Sequence, residues 1–197
     1  MKQEGKGGHE LWASAAAFGT LWGAMEVTLG AFLHALRIPL IGALLAATAA
    51  ALLVAQRQIS PRRGLSLATA LVAALLKGFS PAGAILGPMA AILIEGLVVE
   101  IALLPAPRAR LCAALAGALA VSWSLTQALA TQVLIYGRDV LTVYIQIVER
   151  SAAGLGLDAR PAWGMVAGLA GVLLALGALA ADYGRRVGLR ILDGEVP

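Results

Sequence analysis

Charge is scarce in this chain: Asp, Glu, Lys and Arg together supply 13% of its 197 residues, about half of what a soluble domain carries. With 60% hydrophobic residues and a mean hydropathy of +0.85, an ordinary soluble domain is excluded. Cysteine occurs once, at Cys112, which rules out an internal disulfide and any cysteine-based metal cluster. In its apolar surroundings Cys112 reads as a small core residue. The two histidines are His9 and His34, and neither a G-x-S-x-G elbow nor a helical H-E-x-x-H pattern accompanies them. Serine-hydrolase and zinc chemistry therefore have no sequence support. There is also no Walker A loop, so ATP-driven work would fall to other subunits. No catalytic residue, cofactor or metal site is expected. Aromatic residues make up 5%, thin for a site that grips flat rings by stacking. No internal repeat or inverted duplication is visible, so a single domain over 1–197 is expected.

What is present is a series of long apolar runs. A bilayer is crossed by about twenty apolar residues in a helix, which predicts an all-α integral membrane protein with six spans. They fall at about 11–33, 38–55, 65–79, 84–104, 111–136 and 162–182. Short polar breaks separate them. The segment QRQISPRR reads as a break that leaves the lipid, and Pro105 and Pro107 end the fourth run. The third run is short for a full crossing and would need tilt or protection by its neighbours. A long connection at 138–160 carries Val140, Leu141, Tyr144, Ile147 and Val148 at helical spacing. A short amphipathic helix is expected there, with a β-hairpin as the alternative because Val, Thr, Tyr and Ile also favour strands.

The formal net charge of +4 does not indicate a nucleic-acid partner, because the basic residues sit in short loops between spans. There they act as orientation signals. One side collects Lys2, Lys6, Arg57, Arg62, Arg63, Arg108, Arg110, Arg185, Arg186 and Arg190; the other has Arg37, Lys77, Arg138, Arg150 and Arg160. The bias of about two to one predicts both termini in the cytoplasm and a multi-pass protein of the cell membrane.

With that orientation the polar residues inside the spans form a pattern. Glu26 falls in the outer half of the first span and His34 at its outer mouth. Lys77 ends the third span on the outer side, Glu95 sits near mid-depth in the fourth, and Gln127 lies in the outer half of the fifth. Intramembrane carboxylates are costly and ask for a partner, a ligand or a wet cavity. Trp22 shares a helix face with Glu26, and Trp123 lies mid-span, where an indole needs a hydrogen-bond partner or something to stack against. The expected small-molecule site therefore comprises Trp22, Glu26, His34, Lys77, Glu95, Trp123 and Gln127. Each has a plainer role: Glu26 as a neutral carboxylic acid bonded to a neighbour, Lys77 as a snorkelling interfacial lysine, His34 as a headgroup-level residue. Glu100 is five residues beyond Glu95 and about 140° round the helix. Snorkelling, pairing with an inner-loop arginine and contact with a partner all remain open for it. The first span also carries a seam of small residues, Ala15, Gly19 and Gly23, suited either to packing inside the bundle or to docking another membrane subunit.

The segments ASAAAFGTLWGAMEVTLG, LHALRIP and KGFSPAGAILGPMAAILIEGLVVE, in a chain of this length and layout, resemble the substrate-binding S component of an energy-coupling-factor (ECF) transporter. The resemblance implies six spans with both termini inside, and an outer loop at 32–39 that gates an outward-facing pocket for a micronutrient such as a vitamin. It also implies a transmembrane coupling subunit and two ATPase subunits as partners. Small residues of the first span would contact the coupling subunit: Ala13 and Ala17 in one A-x-x-x-A register, Ala15 and Gly19 in the other, with Gly23 continuing the second. Two other classes compete with this reading. One is a membrane scaffold or assembly subunit whose polar groups bond between helices. The other is a small proton-coupled carrier that uses Glu26 or Glu95 as its relay.

Overall fold

Alanine, leucine and valine fill most of the apolar runs, and lipid leaves a backbone no option but to satisfy its own hydrogen bonds. The computed structural model describes residues 2–36, 40–79, 86–154, 156 and 159–194, and among these it is helical throughout, without strands. The helices are α1 (Lys2–Ala35), α2 (Ile41–Ile59), α3 (Leu65–Lys77), α4 (Leu86–Leu103), α5 (Arg110–Tyr136), α6 (Asp139–Gly154) and α7 (Ala159–Leu192). Helices α1, α2, α4, α5 and α7 are long and apolar enough to cross a membrane. Helix α3, at 13 residues, rises only about 20 Å, short of the roughly 30 Å hydrocarbon layer. The 138–160 connection forms α6, so the hairpin alternative falls away; its described side chains stay mostly exposed. Residues 37–39 of the outer loop and residues 80–85, between the third and fourth runs, lie outside the described residues.

Helix α2 is the centre of the bundle. It packs most extensively on α7 and also against α5, while α1 lies on α3, α3 on α4, and α4 on α5. Close approach is made possible by small residues. A Cβ added at Gly19 would stand 2.6 Å from the Val72 Cβ, and one at Gly23 would stand 2.9 Å from the Leu76 Cβ. The Ala15/Gly19/Gly23 seam is thus filled by α3. That corrects the docking expectation for those three residues: their groove is used inside the chain, and Ala13 and Ala17 are the ones left exposed.

A second correction concerns QRQISPRR. Instead of breaking out after residue 55, α2 continues to Ile59, and Gln56, Arg57 and Gln58 are among the most buried side chains in the protein. Burial is tolerable because partners reach them from distant helices. The Gln56 amide donates to the Ser14 carbonyl (3.2 Å) and hydroxyl (3.1 Å), and its oxygen accepts from the Thr69 hydroxyl at 2.9 Å. The Gln58 amide donates to the Pro107 carbonyl at 2.7 Å. Arg57 lies 3.5 Å from Glu100. These bonds tie α2 to α1, α3 and the α4–α5 turn at one end of the bundle, here termed the basal end. The α1 N-terminal half meets the same end through an exposed Arg62–Glu10 ion pair.

Candidate functional site

At the opposite end, α3 stops at Lys77, and the α1–α3 packing sets what that residue meets. With Gly19 and Gly23 seated on Val72 and Leu76, the last residue of α3 is carried against the next turns of α1. The Lys77 ammonium donates to the Glu26 carbonyl oxygen at 3.1 Å and lies 3.4 Å from the Glu26 carboxylate. Its side chain is 17% exposed, so it turns inward rather than snorkelling. Gly30 lies beside it, where a Cβ would make ordinary contact with the ammonium nitrogen at 3.8 Å.

Around this pair the five helices α1 to α5 line a partly open cavity of about 230 Å³. Glu26 and Gly30 come from α1, Gly42 and Leu45 from α2, and Lys77 from α3. Helix α4 supplies Pro88, Ala91, Ile92 and Glu95, and α5 supplies Ser124 and Gln127. Leu45, Ala91 and Ile92 make an apolar wall, and the remaining groups are polar or small. A Cβ on Gly42 would stand 2.8 Å from the Ser124 hydroxyl oxygen and would push that hydroxyl aside. Glu95 is 7% exposed, and no described residue offers it a hydrogen bond or an ion pair. With both carboxylates ionised, two negative charges face one ammonium across a low-dielectric space.

Four of the seven residues expected at the site, Glu26, Lys77, Glu95 and Gln127, therefore line one cavity. Trp22 does not: it is 2% exposed and packed in the apolar core with Leu53, Ala70 and Ala73. Trp123 faces a separate apolar groove between α4 and α5, beside Val98, Ile101 and Leu119. His34 ends α1, and its side chain lies outside the described residues. Ser124 is one of several serines, threonines and glutamines in the fifth run, and nothing in the sequence singles it out, while Gly42 and Pro88 carry no chemical signal of their own.

Two further clusters lie at the basal end. Glu100 accepts the backbone N–H groups of Gly64 (2.7 Å) and Ser66 (3.0 Å), so it caps α3 from α4 while pairing with Arg57. Of the three roles left open for Glu100, the structure gives it pairing with an arginine, here one buried in a helix and not in a loop. Asp182 of α7 gathers Arg185 (3.1 Å), Arg186 (2.7 Å) and Arg110 of α5 (3.3 Å). Sequence reasoning passed over Asp182 because it sits where the sixth run was taken to end. No three of His, Cys, Asp and Glu come together as a metal-holding group among the described residues.

Fold and site together define a helical, multi-pass membrane protein with a charged cavity inside its bundle. Neither a protein-family model, nor a curated protein, nor a solved structure matches the chain.

Proposed function

We propose that this chain is the substrate-binding membrane subunit of an ECF-type importer. In this reading it crosses the cell membrane six times, with α3 as the short crossing and both termini in the cytoplasm. It captures a small molecule from outside and hands it to a transmembrane coupling subunit driven by two ATPases. The observation that carries the reading is the cavity itself: Glu26, Lys77, Glu95 and Gln127 converge from α1, α3, α4 and α5 near the end of the bundle where α1 gives way to α2. A bundle that needed only to hold together would close such a space with side chains. Here Gly30 and Gly42 line it without side chains of their own. Exposed Ala13 and Ala17 leave a small-residue strip on α1 where a partner helix can approach closely.

The test is purification of the tagged chain from its native membrane in mild detergent, with mass spectrometry of co-purifying proteins and small molecules. Coupling and ATPase subunits, together with ATP-dependent uptake abolished by alanine at both Glu26 and Glu95, are the expected result. Uptake or binding that ignores both carboxylates would remove them from the site. The lone, buried Glu95 also favours a second reading, a proton-coupled carrier with Glu95 as the relay. Proton-dependent flux by the chain alone in liposomes, with no partner subunits recovered, would select it. Recovery with neither partners nor flux leaves the scaffold reading.

A further inference from the structure

With Glu95 ionised, the charges of the cavity do not cancel. The Lys77 ammonium is committed to Glu26, with its carboxylate at 3.4 Å and its carbonyl oxygen at 3.1 Å. Glu95 remains, only 7% exposed, lining the cavity from α4 and without a partner among the described residues. A buried carboxylate in this state draws a compensating positive charge from whatever enters. The rest of the wall limits what that can be. A hard metal ion takes six or more oxygen ligands, but here one wall is Leu45, Ala91 and Ile92 and an ammonium already occupies the space between the helices. The apolar wall calls for a hydrocarbon body, and Ser124 and Gln127 offer hydrogen bonds beside it. The volume of about 230 Å³ falls below the roughly 300–1,000 Å³ typical of drug-sized ligands. Nucleotides and peptides are therefore too large.

We infer that the cavity takes a small organic cation, a compact apolar body bearing one ammonium group whose N–H donors meet the Glu95 carboxylate. The Glu26–Lys77 pair then plays a different part, holding α1 to α3 and keeping the second carboxylate from competing for the ligand. This inference rests on the reading of the cavity as a small-molecule site and narrows the class of molecule.

The test uses the full chain in lipid nanodiscs and three matched probe series. The series are built on phenylethyl, cyclohexyl and n-butyl bodies, each ending in an ammonium, a hydroxyl or a carboxylate group. In at least one series the ammonium member should bind ten times or more tighter than its hydroxyl and carboxylate counterparts by calorimetry. Glu95→Gln should remove that preference with the hydroxyl member unchanged and the melting temperature not lowered. Because Gln has nearly the shape of Glu, a folded E95Q protein isolates the charge. The inference is overturned if no ammonium member binds at millimolar concentration, or if hydroxyl members bind equally well. It is also overturned if the preference survives E95Q. Tighter binding of the carboxylate members, lost in Lys77→Met, would overturn the cation assignment and leave the cavity standing as a binding site. Failure of the importer reading shows elsewhere, as the absence of coupling and ATPase subunits from the purified complex.

Discussion

Glu100 should be the side chain whose loss costs this bundle most, and the cost should exceed that of losing its partner. Its carboxylate does three things at once: it accepts the Gly64 N–H at 2.7 Å, accepts the Ser66 N–H at 3.0 Å, and faces the Arg57 guanidinium at 3.5 Å. Glu100→Ala leaves a guanidinium buried to 2% side-chain exposure without its counter-charge and strips the first turn of α3 of its acceptor. Removing one member of a buried pair costs about 3–5 kcal/mol, which is about two to four orders of magnitude in the folding equilibrium. Arg57→Met is different, because the carboxylate it abandons keeps two backbone donors. Arg57 itself is poorly served, with Nε and Nη1 lacking partners among the described residues. Its loss should cost about 1.5–3 kcal/mol, the ordinary worth of a hydrogen bond to a charged group. The double variant Arg57→Met/Glu100→Ala should cost less than the two single losses together, since no charge is left stranded. Equilibrium unfolding of the purified protein in mixed detergent–SDS micelles, arranged as a double-mutant cycle, reads all three. Equal costs for the two single variants, or a double variant at their simple sum, would refute the reasoning.

Lys77→Met should destabilise the protein by about 2–4 kcal/mol, because it leaves the Glu26 carboxylate beside Glu95 with no cation; adding Glu26→Gln should restore most of the loss in the same unfolding assay. Gly42→Ala puts a methyl group 2.8 Å from the Ser124 hydroxyl, so it should weaken probe binding about tenfold, or 1.4 kcal/mol. Ser124→Ala in the same chain should win back part of that affinity, as read by calorimetry. Gly117 meets Gly177 backbone to backbone between α5 and α7. Gly117→Leu should therefore lower the melting temperature through overpacking worth about 1–3 kcal/mol or more, whereas the same change at exposed Gly164, with nothing within 4 Å, should leave it nearly unchanged.

The sequence made the cavity residues legible for one reason: a charge in an apolar run is expensive, so each one stands out. Glu26, Glu95 and Lys77 could be picked out without coordinates, and Gln127 followed from its place in the outer half of the fifth run. Other features depend on what lies opposite, which no local pattern carries. The small-residue registers Ala13/Ala17 and Ala15/Gly19 look alike in one dimension, yet α3 occupies only the second. QRQISPRR reads as an exit from the lipid because three consecutive polar side chains have no visible partners. Their partners stand 42 and 49 residues away in the chain, at Ser14 and Pro107, and through them α2 gains its last turn. Trp22 illustrates the reverse case: a mid-span indole attracts a ligand reading, but its large apolar area is used against Leu53 and Ala73 in the core.

Glu95 and Glu100 sharpen the distinction between a charge that builds the fold and one that is left for use. They share α4, they are 7% and 6% exposed, and by sequence alone they differ only in rotation about the helix. Glu100 is satisfied by three donors; Glu95 by none that the described residues supply. A buried group that the fold satisfies fully must weaken the fold when it is neutralised, and a buried group that the fold leaves wanting must not. Glu100→Gln should thus lower unfolding stability, by about 1–3 kcal/mol for the weakened acceptor, while leaving ammonium-probe affinity within twofold. Glu95→Gln should do the opposite, keeping or raising stability while losing the probe. Both variants, measured side by side for stability and binding, must cross. If they fall on the same side in both assays, the two carboxylates serve one purpose and the division between basal scaffold and cavity is wrong.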